Sequence, residues 1–443
     1  MSAVRPSDGL LQVIAEHKAG AARGIVSICS SHPAVLEAAA RYAATAGAPL
    51  LVESTSNQVN QDGGYTGMTP AVFAEYLERI GRAQGLASGR IILGGDHLGP
   101  YPWRSLPAEE AMRRASHLVA DCVAAGYTKL HLDASVACAG DAGGRPSKVL
   151  VAERTADLCD AAEDARRRLP DAAGPLHYVI GSDVPQPGGE TEEGAEPEVT
   201  TPEDVEETIE MARRRFVRRG LSDAWARVVA VVAQPGIDFG AWGVHEYEPE
   251  AAARLSRVIE THPRLVYEAH STDYQRPYAL RRLVEDHFAI LKVGPALTFA
   301  FREAVLALAW IEREWLRGRS GVALSDLPAV LDRAMVDDSR HWAPYYHGTP
   351  DEIACARRYG FADRVRYYWP RPDVQAALDR LFENLTRTEP PLALLSQFLP
   401  EQYARIRDHR VGHDPREWVV DRIRAVLKQY AGACGGDGWE AGA

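Results

Sequence analysis

What most limits the fold of this chain is a repeat: eight short apolar runs, each followed by a helical segment, within roughly its first 300 residues. The runs lie at 24–30, 49–55, 91–93, 129–135, 177–183, 227–235, 264–271 and 289–295. Segments at 34–46, 69–83, 107–125, 150–168, 201–220, 249–261 and 277–286 read as helices between them, and 9–20 as one in front. Thr69-Pro70 and Thr201-Pro202 are helix starts, an N-cap followed by Pro at the first position. Strict alternation of strand and helix implies a parallel sheet. Eight units at this length favour a closed (β/α)8 TIM barrel over an open doubly wound sheet, and no Gly-x-Gly-x-x-Gly follows the first run to support a dinucleotide fold. From Thr298 onward the strand signal stops. Leu297 to Trp315 reads as an apolar helix, and the chain stays helical, with Pro breaks, to Gln429. The expected organisation is α/β, with a barrel over 1–300, a C-terminal helical extension over 301–430 packed on it, and a disordered tail at 431–443. Aromatic islands at 364–370 and 395–400 read as packing against the barrel wall.

Composition narrows the class. Hydrophobic residues make up 46% and charged residues 25% of the chain, as in an ordinary globular protein. With 50 Lys and Arg against 61 Asp and Glu the net charge is -11, which argues against nucleic acid as a partner. Six cysteines are scattered without a Cys-x-x-Cys pair, so free thiols in a reducing cytoplasm are expected. No apolar signal core opens the chain, and no stretch has the length of a membrane span. A cytoplasmic protein, expected to be a homo-oligomer, follows from this reading.

Chemistry concentrates where the runs end. The third run opens Arg90-Ile-Ile-Leu-Gly-Gly-Asp-His-Leu-Gly-Pro100. Two glycines free the backbone, and Asp96 and His97 stand where the strand is expected to run out. Neighbours on a strand face opposite ways, so one of the pair is expected to bind a metal while the other turns to a loop or the substrate. Elsewhere the runs end in Glu53, His131 and Asp133, Asp183, Gln234, Glu268 and His270, and Lys292 and Gly294. Pairs two apart share a face. In a barrel these groups converge on the mouth where active sites form. Two histidines and a carboxylate from separate strands suit Zn²⁺, Mn²⁺ or a similar ion; a buried ion-pair network without metal is the alternative. Loops seven and eight, Ser271-Thr272-Asp273 and Gly294-Pro295-Ala296, carry a weak signal for phosphate.

Longer motifs carry a resemblance. Glu53-Ser-Thr-Ser-Asn-Gln-Val-Asn-Gln61 with Gly63-Gly-Tyr-Thr-Gly-Met68, Gly94 to Pro100, His131-Leu-Asp-Ala-Ser135, Tyr267 to Gln275, Leu291 to Phe299 and Arg366-Tyr-Tyr-Trp-Pro370 resemble the GatZ/KbaZ family. The likeness runs from about Ile14 to beyond Leu399. That family is named for the non-catalytic subunit of class II tagatose-bisphosphate aldolase, and some members resemble C4-epimerases of ketohexoses or their 6-phosphates. The resemblance implies Asp96 as acid/base and His97 and His270 as metal ligands, with Asp183 and Gln234 completing the set. Those last two depart from the family pattern, Asp183 standing for Glu and Gln234 for His, which favours Mn²⁺ or Mg²⁺ over Zn²⁺. Glu53 or Asp133 is expected in the second acid/base role. Asn57, Gln58, Gln61, His131, Glu268, Ser271, Thr272, Lys292 and Gly294 are expected to touch substrate. Asp62 stands where an apolar residue is expected.

The implied chemistry is a retro-aldol step. The C3–C4 bond of a ketohexose lies β to the C2 carbonyl, so removing the C4 hydroxyl proton cleaves it to an enediolate and an aldehyde. Rotation of the aldehyde before the bond re-forms inverts C4; departure of the fragments is aldolase chemistry. A sugar or sugar phosphate substrate, a divalent metal and no nucleic-acid or membrane partner follow for an epimerase. The other expectation is a subunit that stabilises a partner aldolase. A phosphoryl-transfer reading lacks a Gly-x-x-x-x-Gly-Lys-Ser/Thr loop.

Overall fold

A computed structural model describes residues 6–141, 146–170, 174–182 and 197–435. Eight strands close a parallel barrel: β1 (Ile25–Ile28), β2 (Leu50–Thr55), β3 (Ile91–Leu98), β4 (Lys129–Leu132), β5 (His177–Ile180), β6 (Val228–Val232), β7 (Val266–Ala269) and β8 (Ile290–Val293). Closure comes from β1 pairing with β8, Ile25 against Ile290 and Ser27 against Lys292. Helices run between the strands, among them Pro33–Ala46, Pro70–Ala83 and Ala108–Ala124. The Thr-Pro starts work as caps: Thr69 and Thr201 side chains accept from Val72 N and Asp204 N. A short antiparallel ribbon, Asp238–Phe239 with Val244–His245, interrupts the passage from β6 to its helix; no period-2 run announced it.

Inside, the barrel is layered. Leu51, Ile92, Val179, Val232, Val266 and Ile290 fill the lower half, and Leu10 and Ile14 of the helix Pro6–Lys18 plug it from below. Two residues further along the same strands the inward side chains become Glu53, Glu268 and Lys292, all buried. Gly94 of β3 makes the room for this change, since a Cβ there would lie 2.8 Å from Glu53 Cγ.

After β8 the helix Pro295–Leu316 leads into the helical C-terminal region. Its final helix, Pro415–Ala433, returns to the barrel and packs on Pro295–Leu316, Pro33–Ala46 and Pro277–Glu285. It therefore stands in the helical ring between the helix after β7 and the helix after β1. Its Tyr430 hydroxyl donates to Thr272 O (2.7 Å), and Gly24 N donates to Cys434 O (3.1 Å). The helix continues past residue 431, and residues 436–443 of the expected tail lie outside the described residues. All six cysteines are free, and no described helix is long and apolar enough to cross a membrane.

Candidate active site

The site starts with an irregularity in β3. The strand does not stop at the glycines; it runs through Asp96 and His97 to Leu98, and its pairing with β4 shifts register between Gly95 and Leu98. At that bulge His97 takes a positive φ of 45°, a conformation that non-glycine residues adopt at a cost and mostly at functional positions. The consequence corrects the alternation argument. Asp96 and His97, although adjacent, both turn to one place, where ligand atoms of Asp96, His97, His131 and His270 all lie within 4.8 Å of one another.

Each imidazole of this group is held through its far nitrogen. His97 Nδ1 meets Asp133 Oδ2 at 2.7 Å, His131 Nε2 meets the Gly181 carbonyl at 2.9 Å, and His270 Nε2 meets Glu268 Oε1 at 3.0 Å. Carboxylate and carbonyl partners of this kind fix the tautomer of metal-ligating histidines and leave the other nitrogen bare. The rings stand edge-on to one another with centroids 4.9–5.2 Å apart. With its Nε2 proton given to Gly181, His131 Nδ1 accepts from His97 N at 3.2 Å and faces Asp96 Oδ1 at 3.1 Å. Two acceptors facing each other in a buried site are unfavourable, and here the His97 N–H on Nδ1 and the Lys292 ammonium on Asp96 Oδ1 offset that cost.

Beneath lies an ion lattice. Lys129, wholly buried, bridges Glu53 Oε1 and Glu268 Oε2, 2.6 Å to each. Lys292 contacts Asp96 Oδ1 and lies 3.3 Å from Glu268 and 3.7 Å from Glu53. Ser27 donates to Glu53 at 2.5 Å. Burial opposes the charge on both lysines, yet the surrounding carboxylates hold both ammonium groups above their usual range. Burial likewise opposes the Asp96 charge, but His97 and Lys292 hold that carboxyl well below its ordinary value. His97 shows the converse: Asp96 and Asp133 outweigh burial and raise its pKa. Burial and the nearby Lys292 keep His270 neutral, its pKa lowered to about 3. Four carboxylates (Glu53, Asp96, Asp133, Glu268) thus face two ammonium groups, leaving two negative charges uncompensated when the rings are neutral. A divalent cation among the imidazoles would cancel them, and three nitrogens suit such an ion. The residues present fit a divalent metal.

Other candidates are placed differently. Gln234 Oε1 accepts from Gly236 N and Ile237 N, both 2.9 Å, so its oxygen closes a local turn and is not offered to an ion. Asp183 lies outside the described residues. Asp133 orients His97 and also caps Ser135 N at 2.9 Å. Gln58 accepts from Thr55 N (3.1 Å), and Gln61 donates to the Arg114 carbonyl (2.9 Å). Asn57 accepts from the Thr55 hydroxyl. Asp62 accepts from Trp103 Nε1 at 2.9 Å. Thr272 is buried and donates to the Lys292 carbonyl at 2.5 Å. Ser271 is half-buried with φ 50°, and Gly294 N donates to the Asp273 carboxylate at 3.0 Å. Lys129 and Ser27 were not anticipated. Lys129 stands two before His131, so the shared face was readable, but only closure brings it between Glu53 and Glu268.

Fold and site together define a (β/α)8-barrel protein with an imidazole- and carboxylate-rich centre at the strand ends. The chain belongs to the family described as D-tagatose-1,6-bisphosphate aldolase subunit GatZ/KbaZ-like, whose model matches residues 10–435. A probable tagatose 6 phosphate kinase from Sinorhizobium meliloti 1021 is 43% identical with a TM-score of 0.84, covering 93% of this chain and 100% of that one. Far more distant are a putative fructose-1,6-biphosphate aldolase from Coccidioides immitis (14% identity, TM-score 0.41, 87% of this chain and 100% of that one) and the YdjI aldolase from Escherichia coli K12 (10%, 0.42, 86% and 97%).

Proposed function

We propose that this chain is a metal-dependent C4-epimerase of a ketohexose or its phosphate, interconverting D-tagatose 6-phosphate and D-fructose 6-phosphate or the free sugars. The observation that carries the reading is the set of three imidazoles, each anchored through its far nitrogen, around an ionised Asp96. A chain kept only to brace a partner has no use for so costly a buried charge array.

His97, His131 and His270 would hold the ion, and their nitrogen character weakens the case for Mn²⁺ or Mg²⁺ over Zn²⁺ that rested on Gln234. When bound it supplies Lewis-acid polarisation of the C2 carbonyl. Asp96 accepts the C4 hydroxyl proton. The C3–C4 electron pair moves toward C2, giving an enediolate and an aldehyde. Lys292, a buried ammonium beside Asp96, stabilises the developing oxyanion. After rotation of the aldehyde the pair returns to the carbonyl carbon, and the new C4 oxygen is protonated. Asp133 is tied to His97 and Ser135, so Glu53, which reaches Asp96 through Lys292, is the better second partner. Direct removal of the C4 hydrogen is disfavoured because no carbonyl neighbours it.

The test is an NMR assay of the purified chain on tagatose 6-phosphate, tagatose 1,6-bisphosphate and tagatose, after EDTA and after add-back of Zn²⁺, Mn²⁺ or Mg²⁺. Fructose isomers that need the ion are expected. Triose products would replace the epimerase with an aldolase. No turnover, with rescue of a class II aldolase chain on mixing, would make this the accessory subunit that the family description suggests.

A further inference from the structure

At the end of β6 the chain seals a pair of N–H donors and gives them nothing to bind. Strands β6 and β7 pair Val232 with Glu268, and two more residues of that register set Gln234 beside His270, one strand spacing away. Val232 packs in the barrel interior, so Gln234, two residues on, faces inward as well. The orientation of its amide is fixed by its partners. Gly236 N and Ile237 N both approach one end of it at 2.9 Å. Two donors require an oxygen there, so Nε2 is the end directed away from the turn. Nε2 is shut off from solvent and has no hydrogen-bond partner among the described residues, on a side chain only 3% exposed. Buried N–H groups without acceptors are costly, and the residue is held where that cost persists. Its backbone N donates to the Thr200 hydroxyl at 2.8 Å, and its carbonyl accepts from Thr200 N at 2.9 Å. Strand order puts Lys292 of β8 and Gln234 of β6 on either side of His270.

We propose that Gln234 Nε2 is a substrate donor, binding an oxygen of the enediolate that cleavage of C3–C4 leaves on C2 and C3. The inference rests on the retro-aldol reading and deepens it. As that bond breaks, its electron pair turns a neutral ketone into an enediolate, and the charge on the oxygens rises. A donor that is already fixed and dry gains most from such a change, because it needs no reorganisation at the moment of reaction. It binds the ketone more weakly than the enediolate, which is the difference that speeds a reaction. An amide also donates without titrating, so it leaves the moving proton to Asp96. Lys292 meets the reacting oxygens from the β8 side and Gln234 from the β6 side.

Cleavage of a ketohexose between C3 and C4 leaves the enediolate of dihydroxyacetone, and glycolohydroxamate copies its planar pair of oxygens. The experiment is calorimetric titration of the metal-loaded full chain with glycolohydroxamate and with dihydroxyacetone. Gln234→Glu keeps an oxygen for the turn and replaces the N–H donors with a second oxygen. It should weaken the hydroxamate roughly 100-fold, the lower end for losing one oxyanion donor, and dihydroxyacetone far less. Gln234→Ala removes the donors without adding charge and should show the same split, with its metal content unchanged by elemental analysis. A thermal melt reports the folded share of each variant. No hydroxamate binding by the wild type, wild-type affinity in either variant, an equal loss for both ligands, or loss of metal from Gln234→Ala would overturn the proposal. Hydroxamate binding that depends on Gln234, in a chain that releases trioses or turns over none of the sugars, would support the donor and remove the epimerase reading instead.

Discussion

The lower and upper halves of the barrel interior are built from the same strands, two residues apart, and obey opposite rules. Below, Leu51, Ile92, Val266 and Ile290 pack as hydrocarbon against the plug of Leu10 and Ile14. Above, Glu53, Lys129, Glu268 and Lys292 are equally buried and carry charge. Burial alone therefore does not distinguish the halves; only what the buried atoms exchange with one another does. The lower half holds the fold, and the upper half uses stability to keep a charge array in place.

Single substitutions separate the two. Asp96→Asn keeps shape but removes the carboxylate from the imidazole cluster, and turnover should fall by roughly 10³-fold or more, at the upper end for lost acid/base catalysis. Ile92→Ala, on the same strand, should cost about 2–5 kcal/mol of stability and leave the kcat of the folded fraction near wild type. Denaturant melts with steady-state kinetics check both. If Asp96→Asn turns over normally, the upper layer is structural. Next in size, Lys129→Met leaves Glu53 and Glu268 with only the more distant Lys292 ammonium between them. A loss of about 3–5 kcal/mol is expected for breaking a buried pair from one side; if stability is unchanged, the lattice is not charged as drawn.

Much of this contrast was legible beforehand because strands alternate by two. Leu51 and Glu53, Val266 and Glu268, Ile290 and Lys292 announce a shared face that changes from apolar to ionic toward the strand ends. The Thr-Pro caps and the eight runs placed the elements within a few residues. What could not be read depended on backbone detail or closure. The joint inward turn of Asp96 and His97 arises from a bulge with His97 at positive φ, which no periodicity encodes. Lys129 needs both neighbours across a closed barrel. The return of Pro415–Ala433 to the ring depends on packing remote in sequence. Gln234 shows a signal passed over: Gln234-Pro235-Gly236 is a turn, and a side-chain amide before a turn often serves its own backbone.

A pH experiment sharpens the comparison at the edge of the upper layer. Asp273 is buried, and although Ala296 N and Gly294 N favour its charge, burial pushes its pKa up from 3.8 to about 6. A carboxyl raised in the folded state holds its proton more tightly there than when unfolded. Its stabilising contribution is full below about pH 4 and is lost as pH rises through about 6. The loss amounts to roughly 3 kcal/mol for a rise of about two pH units. Asp273→Asn keeps an oxygen for both N–H groups and should flatten that part of the stability–pH curve. An unaltered slope would mean that Asp273 titrates normally and is not shut away from water.

The smallest expected effect bears on where the metal centre ends. Gln234 lies at the end of β6 as His270 follows β7, and from sequence alone the two looked like equivalent ligands. In the structure His270 keeps a bare nitrogen toward Asp96 and His97, whereas the Gln234 oxygen accepts two backbone N–H bonds of its own turn. Gln234→Ala should therefore leave one metal per chain by elemental analysis, and cost only about 1–3 kcal/mol through the two N–H groups it leaves unpaired. His270→Ala should lose the metal and keep the fold. If the two variants lose metal alike, Gln234 swings from its turn to join the ion, and the centre spans β6 as well as β3, β4 and β7.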